Sequence, residues 1–389
     1  MLTSAAELPS PDPESLAHSK RVAAFIRESI RKAGGSISFG EFMQLALYAP
    51  GLGYYSAGAA KLGSAGDFVT APESSPLFAT ILARQCAPVL QALASHDVLE
   101  LGAGSGALAA DLLENLPQLC SYRILEVSAD LRQRQEVFLR RKAPDHLGKV
   151  EWLDALPRDF RGIVIANEVA DALPVERFAM AGEGILQCRV VAEGDTFAWQ
   201  RDAAPPSLER AVRHLEQSLG TRLPDGYVSE LSPGLPGWVG DISACLDRGF
   251  VFLFDYGVTR AEYYARDRSD GWLRCHFRHR AHNDPLVYPG IQDVSAWVDF
   301  TAVAEGATGA GMEVAGFVSQ AHFLMNGGLE EELAEFQGLP TAAQLEVSRQ
   351  VKMLTLPSEM GEHFKCIGLA KNLDIKPASF SQFDRTHKL

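Results

Sequence analysis

The string VLELGAGSGALAADLL at 98–113 constrains this chain more than any other. A short apolar run, DVLEL (97–101), enters Gly102, Gly104 and Gly106, and a helical pattern begins at once. A strand that turns into a helix on three glycines needs backbone angles that other residues avoid. It also brings main-chain N–H groups to a helix N-terminus, where a phosphate-like or nucleotide-like ligand can approach closely. Gly102, Gly104 and Ala107 fall in the places of a dinucleotide-type G-x-G-x-x-G/A turn.

The surrounding texture repeats the theme. YRILEV (122–127), KVEWLD (149–154), GIVIANE (162–168) and FVFLFDYG (250–257) read as further strands, with helical patterns between the earlier ones. Strands alternating with helices predict a parallel sheet covered on both faces. MEVAGFV (312–318) and HFKCIGLAK (363–371) supply plausible last strands. The expectation is an α/β, Rossmann-like, doubly wound sheet.

Other segments divide the chain. Residues 1–13 read as a loose tail, and 14–95 as an N-terminal helical segment with a glycine-spaced loop at 51–75. Ser38 and Glu41 predict a capping box, and Pro76 a helix start after Ser75. The core occupies 96–173 and 246–375. An inserted subdomain fills 174–245, with two or three antiparallel strands and an amphipathic helix, PSLERAVRHLEQSL (206–219). Residues 256–292 read as irregular, and 376–389 as a C-terminal tail.

Composition excludes several classes. With 389 residues, 47% of them hydrophobic and 22% charged, the chain has ample material for a core. Its 36 basic and 49 acidic side chains leave a charge of −13, which argues against general nucleic-acid binding. No run approaches the length of a membrane span. No Lys or Arg precedes Lys20, so neither a secretory signal nor an organelle transit peptide is read, and a cytoplasmic location is expected. The six cysteines never form C-x-x-C and read as reduced, buried thiols.

The strand ends carry the chemistry. Glu126 closes the second strand, where a carboxylate accepts bonds from ribose hydroxyls. Asp154 follows the third, placed to accept from an adenine amino group. Glu100 precedes the glycines and either holds the turn or receives an amine. The glycine string alone leaves NAD(P) and S-adenosylmethionine open. IANEVADALPV (165–175) sets Asn167, Glu168 and Asp171 at the edge beside the ligand's reactive end, a polar and acidic group that suits a cationic acceptor and methyl transfer. No Tyr-x-x-x-Lys or comparable hydride-chemistry pair stands out. His276, His279 and His282 would share one face of a helix, but Arg274, Arg278 and Arg280 beside them disfavour a cation. No metal site is expected, and that stretch suits an acceptor channel or an acidic partner surface.

GLGYYS, GDFVTAPE, LELGAGSG, NEVADALPV, DYG, RCHFRHRAHNDP, DVSAWVDF and MGEHFKCI, in this order from Ile37 to Ala370, together resemble the MidA family of S-adenosylmethionine-dependent methyltransferases. The resemblance implies a class I methyltransferase sheet of seven strands with the last one antiparallel. It implies S-adenosylmethionine as cofactor, Gly102, Gly104 and Gly106 as its loop, Glu126 as the ribose acid, and Asp67 and Phe68 reaching the cofactor or acceptor. It makes Asn167, Glu168 and Asp171 the catalytic set. Where the family carries Arg or Lys after MGE, this chain has His363, so no role needing a permanent charge is expected there. The mitochondrial member of the family methylates a protein arginine in a respiratory complex I subunit and assists assembly of that complex. A bacterial-type relative acting on a protein arginine is the expectation here. A small-molecule methyltransferase and a non-catalytic, cofactor-binding assembly factor stay open, as does the oligomeric state, homodimer included.

Overall fold

In the computed structural model, residues 8–57 and 70–389 are described. The chain divides into two compact units, one of Met1–Phe68, Asp171–Leu235 and Thr259–Trp297, the other of Val69–Ala170, Pro236–Val258 and Val298–Leu389.

The second unit holds the sheet predicted from the alternating pattern. Its strands are β1 (Asp97–Leu101), β2 (Ser121–Leu125), β3 (Val150–Leu153), β4 (Phe160–Asn167), β5 (Leu246–Val258), β6 (Glu313–Ser319) and β7 (Phe364–Lys371). They lie in the order β6-β7-β5-β4-β1-β2-β3, and a short strand Val298–Asp299 pairs with β5 as an eighth. β5, β4, β1, β2 and β3 pair in parallel, whereas β7 runs antiparallel to both β5 and β6. The last strand in the chain is thus the antiparallel one. Sequence order reverses between β1 and β4, and ligands of open α/β sheets bind at the carboxyl ends of the strands beside such a reversal.

Both faces of this sheet are buried, which is why its central strands read as apolar runs. Phe250, Phe252 and Phe254 of β5 have no exposed surface. Helix α1 (Pro76–Leu93) begins on Ser75, whose hydroxyl accepts from Leu77 N at 3.2 Å, and sets Phe78 edge-on to Phe254 at 5.0 Å. That packing places α1 in the same unit as β1, so the unit boundary falls near residue 69, not at 95.

The segment read as a C-terminal tail is part of this core. Phe380 is fully buried among Phe250, Phe252 and Phe323. Asp384 accepts from Phe317 N at 3.1 Å, and Phe317 O accepts from Arg385 N at 2.7 Å. The segment covers the outer edge of β6, an edge that would otherwise invite strand pairing. Two phenylalanines, Phe380 and Phe383, among polar residues give no periodicity, so sequence pattern alone does not reveal it.

The first unit opens with helix Pro13–Lys32, capped by Asp12, whose carboxylate accepts from Ser15 N at 2.9 Å. Val22, Ile26 and Ile30, four residues apart, form its buried stripe. Helix Phe39–Tyr48 starts on the predicted capping box of Ser38 and Glu41. Strands Ser36–Ser38, Glu176–Ala181, Gly184–Glu193, Thr196–Ala203 and Val228–Leu231 form one sheet, and the predicted amphipathic helix spans Pro206–Leu219. Residues 259–297 also belong to this unit.

The stretch read as irregular is a second, three-stranded sheet of Arg280–His282, Leu273–Phe277 and Asp293–Ala296. Leu273, Cys275 and Phe277 point inward while Arg274 and His276 alternate with them, a period-two pattern masked by the charge of its outer face. The three histidines therefore share no helix. Arg278 (φ +49°) and His279 (φ +59°) make the hairpin turn, His279 is exposed, and His282 is fully buried opposite Cys275. Of the six free cysteines five are buried, but Cys120 is exposed. Among the described residues no helix is long and apolar enough to cross a membrane.

Candidate active site

The glycine turn lies within the second unit, at the carboxyl end of β1. Gly102, Gly104 and Gly106 all take left-handed angles, with φ of +63°, +54° and +83°. Gly102 N donates to Leu125 O at 2.9 Å, which stitches the turn to the end of β2. A side chain at Gly102 would begin 3.2 Å from Val169 Cγ2, a tight contact at a backbone angle that already favours glycine. Helix α2 (Ala107–Asn115) follows with Gly106 as its N-cap and no side chain on its first N–H groups. That arrangement leaves backbone donors for a ligand.

Glu126 stands one residue beyond β2 and is 5% exposed. Its Oε1 accepts from Ser128 N at 3.0 Å and its Oε2 from Gln135 Nε2 at 3.1 Å. Burial pushes its carboxyl above the ordinary range, while these bonds hold it down. Val127 beside it is 74% exposed, an apolar surface of the kind a purine face covers. Glu100 is buried at 3% exposure and accepts from the Tyr122 phenol at 2.7 Å. Burial first, with help from the neighbouring Glu126 charge, pushes Glu100 up to about 7. Its satisfied bond fits a turn-holding carboxyl. Asp154 is 92% exposed in its side chain and pairs with Arg132 at 2.8 Å. Arg132 also donates to Glu126 O at 2.5 Å and Leu153 O at 2.6 Å, tying the ends of β2 and β3 together.

At the end of β4 the chain bends sharply. Glu168 adopts φ +55°, a region rare for a residue with a side chain and a frequent mark of functional sites. Its backbone N–H donates to Phe254 O at 2.9 Å. Asp255, fully buried at the end of β5, accepts from Val169 N at 3.2 Å and Ala170 N at 2.8 Å and so fixes the bend. The Glu168 carboxyl receives Asn167 Nδ2 at 3.2 Å and the Tyr256 hydroxyl at 3.2 Å. Burial, then the charges of Asp255 and Glu73, push it up to about 8 despite those bonds. Glu73 belongs to the TAPE string, folded as the short helix Ala71–Ser74, and accepts from Thr70 N at 3.2 Å. Asn167 Oδ1 is buried without a hydrogen-bond partner. A buried acceptor left unmade is costly, so a donor from a ligand suits this point.

The structure thus gathers Glu100, Gly102, Gly104, Gly106, Glu126, Asn167 and Glu168 at one sheet edge of one unit. Asp154 lies at the same edge and pairs with Arg132. Asp171 belongs to the other unit, 7% exposed, with its carbonyl accepting from Ala296 N at 2.9 Å. Asp67 and Phe68, with the rest of 58–69, lie outside the described residues. Sequence reasoning missed Glu73, Gln135, Asp255 and Tyr256. Gln135 had a signal, because it sits four residues before Leu139 on the buried stripe of helix Ala129–Lys142, where an apolar residue is normal.

The positive-φ turn, the anchored Glu126, the bare helix N-terminus and the orphaned Asn167 acceptor fit an adenosyl ligand with an amino-acid tail. The comparisons agree. A family model for S-adenosyl-L-methionine-dependent methyltransferases matches residues 81–318. A Burkholderia thailandensis protein crystallised with S-adenosyl-homocysteine bound is 42% identical, covers 98% of this chain and 100% of that one, and superposes with a TM-score of 0.92. The zebrafish mitochondrial protein arginine methyltransferase NDUFAF7 is 28% identical over 86% of this chain and 83% of its own. Its human counterpart is 27% identical over 92% and 85%. The chain therefore belongs to the MidA-type family of S-adenosyl-L-methionine-dependent methyltransferases.

Proposed function

We propose that this methyltransferase acts on an arginine side chain of a protein, with Glu168 as the carboxylate that receives the guanidinium. One observation carries the reading. Glu168 is held at the end of β4 by Asn167 and Tyr256 and crowded by the charges of Asp255 and Glu73. Such a group resists ionising alone and ionises readily once a cation arrives. A guanidinium is protonated at any working pH and matches a carboxylate in two parallel bonds. The names of the mitochondrial relatives support the same acceptor class.

S-adenosylmethionine, when bound, supplies a methyl group already activated on a positively charged sulfur. The chain's own work is alignment and exclusion of water. The glycine turn and Glu126 fix the nucleoside, Asn167 takes a donor, and Glu168 orients one guanidinium nitrogen and draws positive charge away from the other. The proton lost after transfer leaves to a carboxylate or to water. Asp154 is proposed as an adenine contact. A cytoplasmic location and a respiratory complex I subunit as acceptor complete the proposal.

The test is a labelling experiment. Extract from cells lacking the protein is incubated with the purified chain and methyl-labelled cofactor, and the label is located by mass spectrometry. Methylarginine in one protein is the expected result. Label confined to a small molecule would replace this reading with small-molecule methylation. Cofactor binding without any label would make the chain an assembly factor.

A further inference from the structure

Gln135 has no exposed surface, yet it is neither an apolar core residue nor a group that the proposed mechanism uses. Its amide nitrogen donates to Gly104 O at 3.0 Å and to Glu126 Oε2 at 3.1 Å. Its amide oxygen accepts from the Trp152 indole at 2.9 Å. Trp152 is on β3, Glu126 follows β2, and Gly104 lies in the turn after β1. One side chain thus joins three consecutive strand ends.

We propose that Gln135 is the positioning residue of the cofactor site, locking the glycine turn and the Glu126 carboxylate into one surface that meets the adenosyl ligand preformed. The inference rests on the reading of Glu126 as a ligand-facing carboxylate. Only an amide does this work. Its two N–H bonds satisfy a carbonyl and a carboxylate at once, and its oxygen takes the indole N–H. A glutamate would accept from Trp152 but, ionised, has no donor for Gly104 or Glu126. A methionine fills the volume and makes none of the three bonds.

The donation from Gln135 also favours the charged form of Glu126. The other groups facing that carboxylate are the Ser128 and Val127 N–H groups, which favour it likewise, the Arg132 guanidinium, which attracts it, and Glu100, whose charge opposes it. Removing Gln135 therefore moves Glu126 toward protonation, and binding that needs the carboxylate becomes sensitive to falling pH.

S-adenosyl-homocysteine is the probe, titrated calorimetrically at pH 6, 7 and 8. Gln135→Met should bind roughly tenfold more weakly at pH 8. It should lose further affinity toward pH 6, because each pH unit below an essential carboxylate's pKa costs at most about tenfold. Gln135→Glu should lose at least as much. In a Glu126→Gln background the same Gln135→Met change should add no pH dependence, although Glu100 still titrates there. Wild-type affinity and a wild-type pH slope in either folded variant would overturn the proposal. So would failure of both variants to fold, since Gln135 would then be structural. If Glu126→Gln itself binds like wild type, the reading of Glu126 is what fails.

Discussion

Glu168→Gln should strongly impair methyl transfer, keep cofactor binding, and make the protein more stable above neutral pH. Loss of one partner from a buried, hydrogen-bonded charge pair costs about 3–4 kcal/mol, so kcat/KM should fall roughly 10²- to 10³-fold. Gln preserves the shape and still accepts from Tyr256, so S-adenosyl-homocysteine should bind as before. The stability gain has a defined sign. The folded carboxyl titrates at about 8, against an ordinary 4.5, so the folded chain holds the proton more tightly than the unfolded one. Its ionisation opposes folding progressively as pH rises from 4.5 to 8, and the penalty is constant above that. One pKa unit corresponds to about 1.4 kcal/mol. Partial exposure of the side chain reduces the full shift to something on the order of 1–3 kcal/mol, recovered in the variant. Chemical denaturation at pH 5 and pH 9 reads this directly, with stabilities nearly equal at the lower pH and the variant ahead at the higher. In wild type the same titration makes the KM for a cationic acceptor fall as pH rises through 7 to 8. Full activity in the variant would remove Glu168 from the acceptor site.

Gly104→Asp should eliminate cofactor binding. The residue sits at φ +54°, where a side chain carries a strain of roughly 1–2 kcal/mol. Strain alone lowers stability without blocking a ligand. The carboxylate adds bulk and negative charge on a surface that must let an adenosyl compound touch the main chain. Gly104→Ala separates the two effects, with a lower Tm but a persisting ligand response. At a ligand concentration of about 100 times Kd, wild type gains roughly 2.7 kcal/mol. Gly104→Ala should keep most of that gain, and Gly104→Asp should show none in the same thermal titration.

The sheet was legible because its strands are buried on both faces and its helices carry strong end signals. Ser38 with Glu41, and Ser75 with Pro76, are local chemistry that tertiary structure does not override. The glycine turn was legible for the same reason, since Gly102, Gly104 and Gly106 each meet a backbone demand set within a few residues. The hairpin at 273–282 was hidden because Arg274 and His276 on its outer face mask the alternation of Leu273, Cys275 and Phe277. Phe380 stacks on Phe252 and Asp384 accepts from Phe317, partners too far along the chain for any local window to contain. The site divides likewise. Glu126 and Glu168 announce themselves as acids at strand ends. Asp255 and Tyr256 were visible only as two letters of DYG, and it is strand pairing between β4 and β5 that sets them beside Glu168. Asp154 was legible as a strand-end acid too, but not its Arg132 partner, which comes from the preceding helix.

A crystal of this protein grown with S-adenosyl-homocysteine tests the central claim most directly. The nucleoside should lie against Gly102–Gly106 with both ribose hydroxyls within hydrogen-bond distance of Glu126 and the purine over Val127. Its amino-acid tail should end near Asn167. The same compound bound at any other place, with Glu126 still holding only Ser128 and Gln135, would contradict the account.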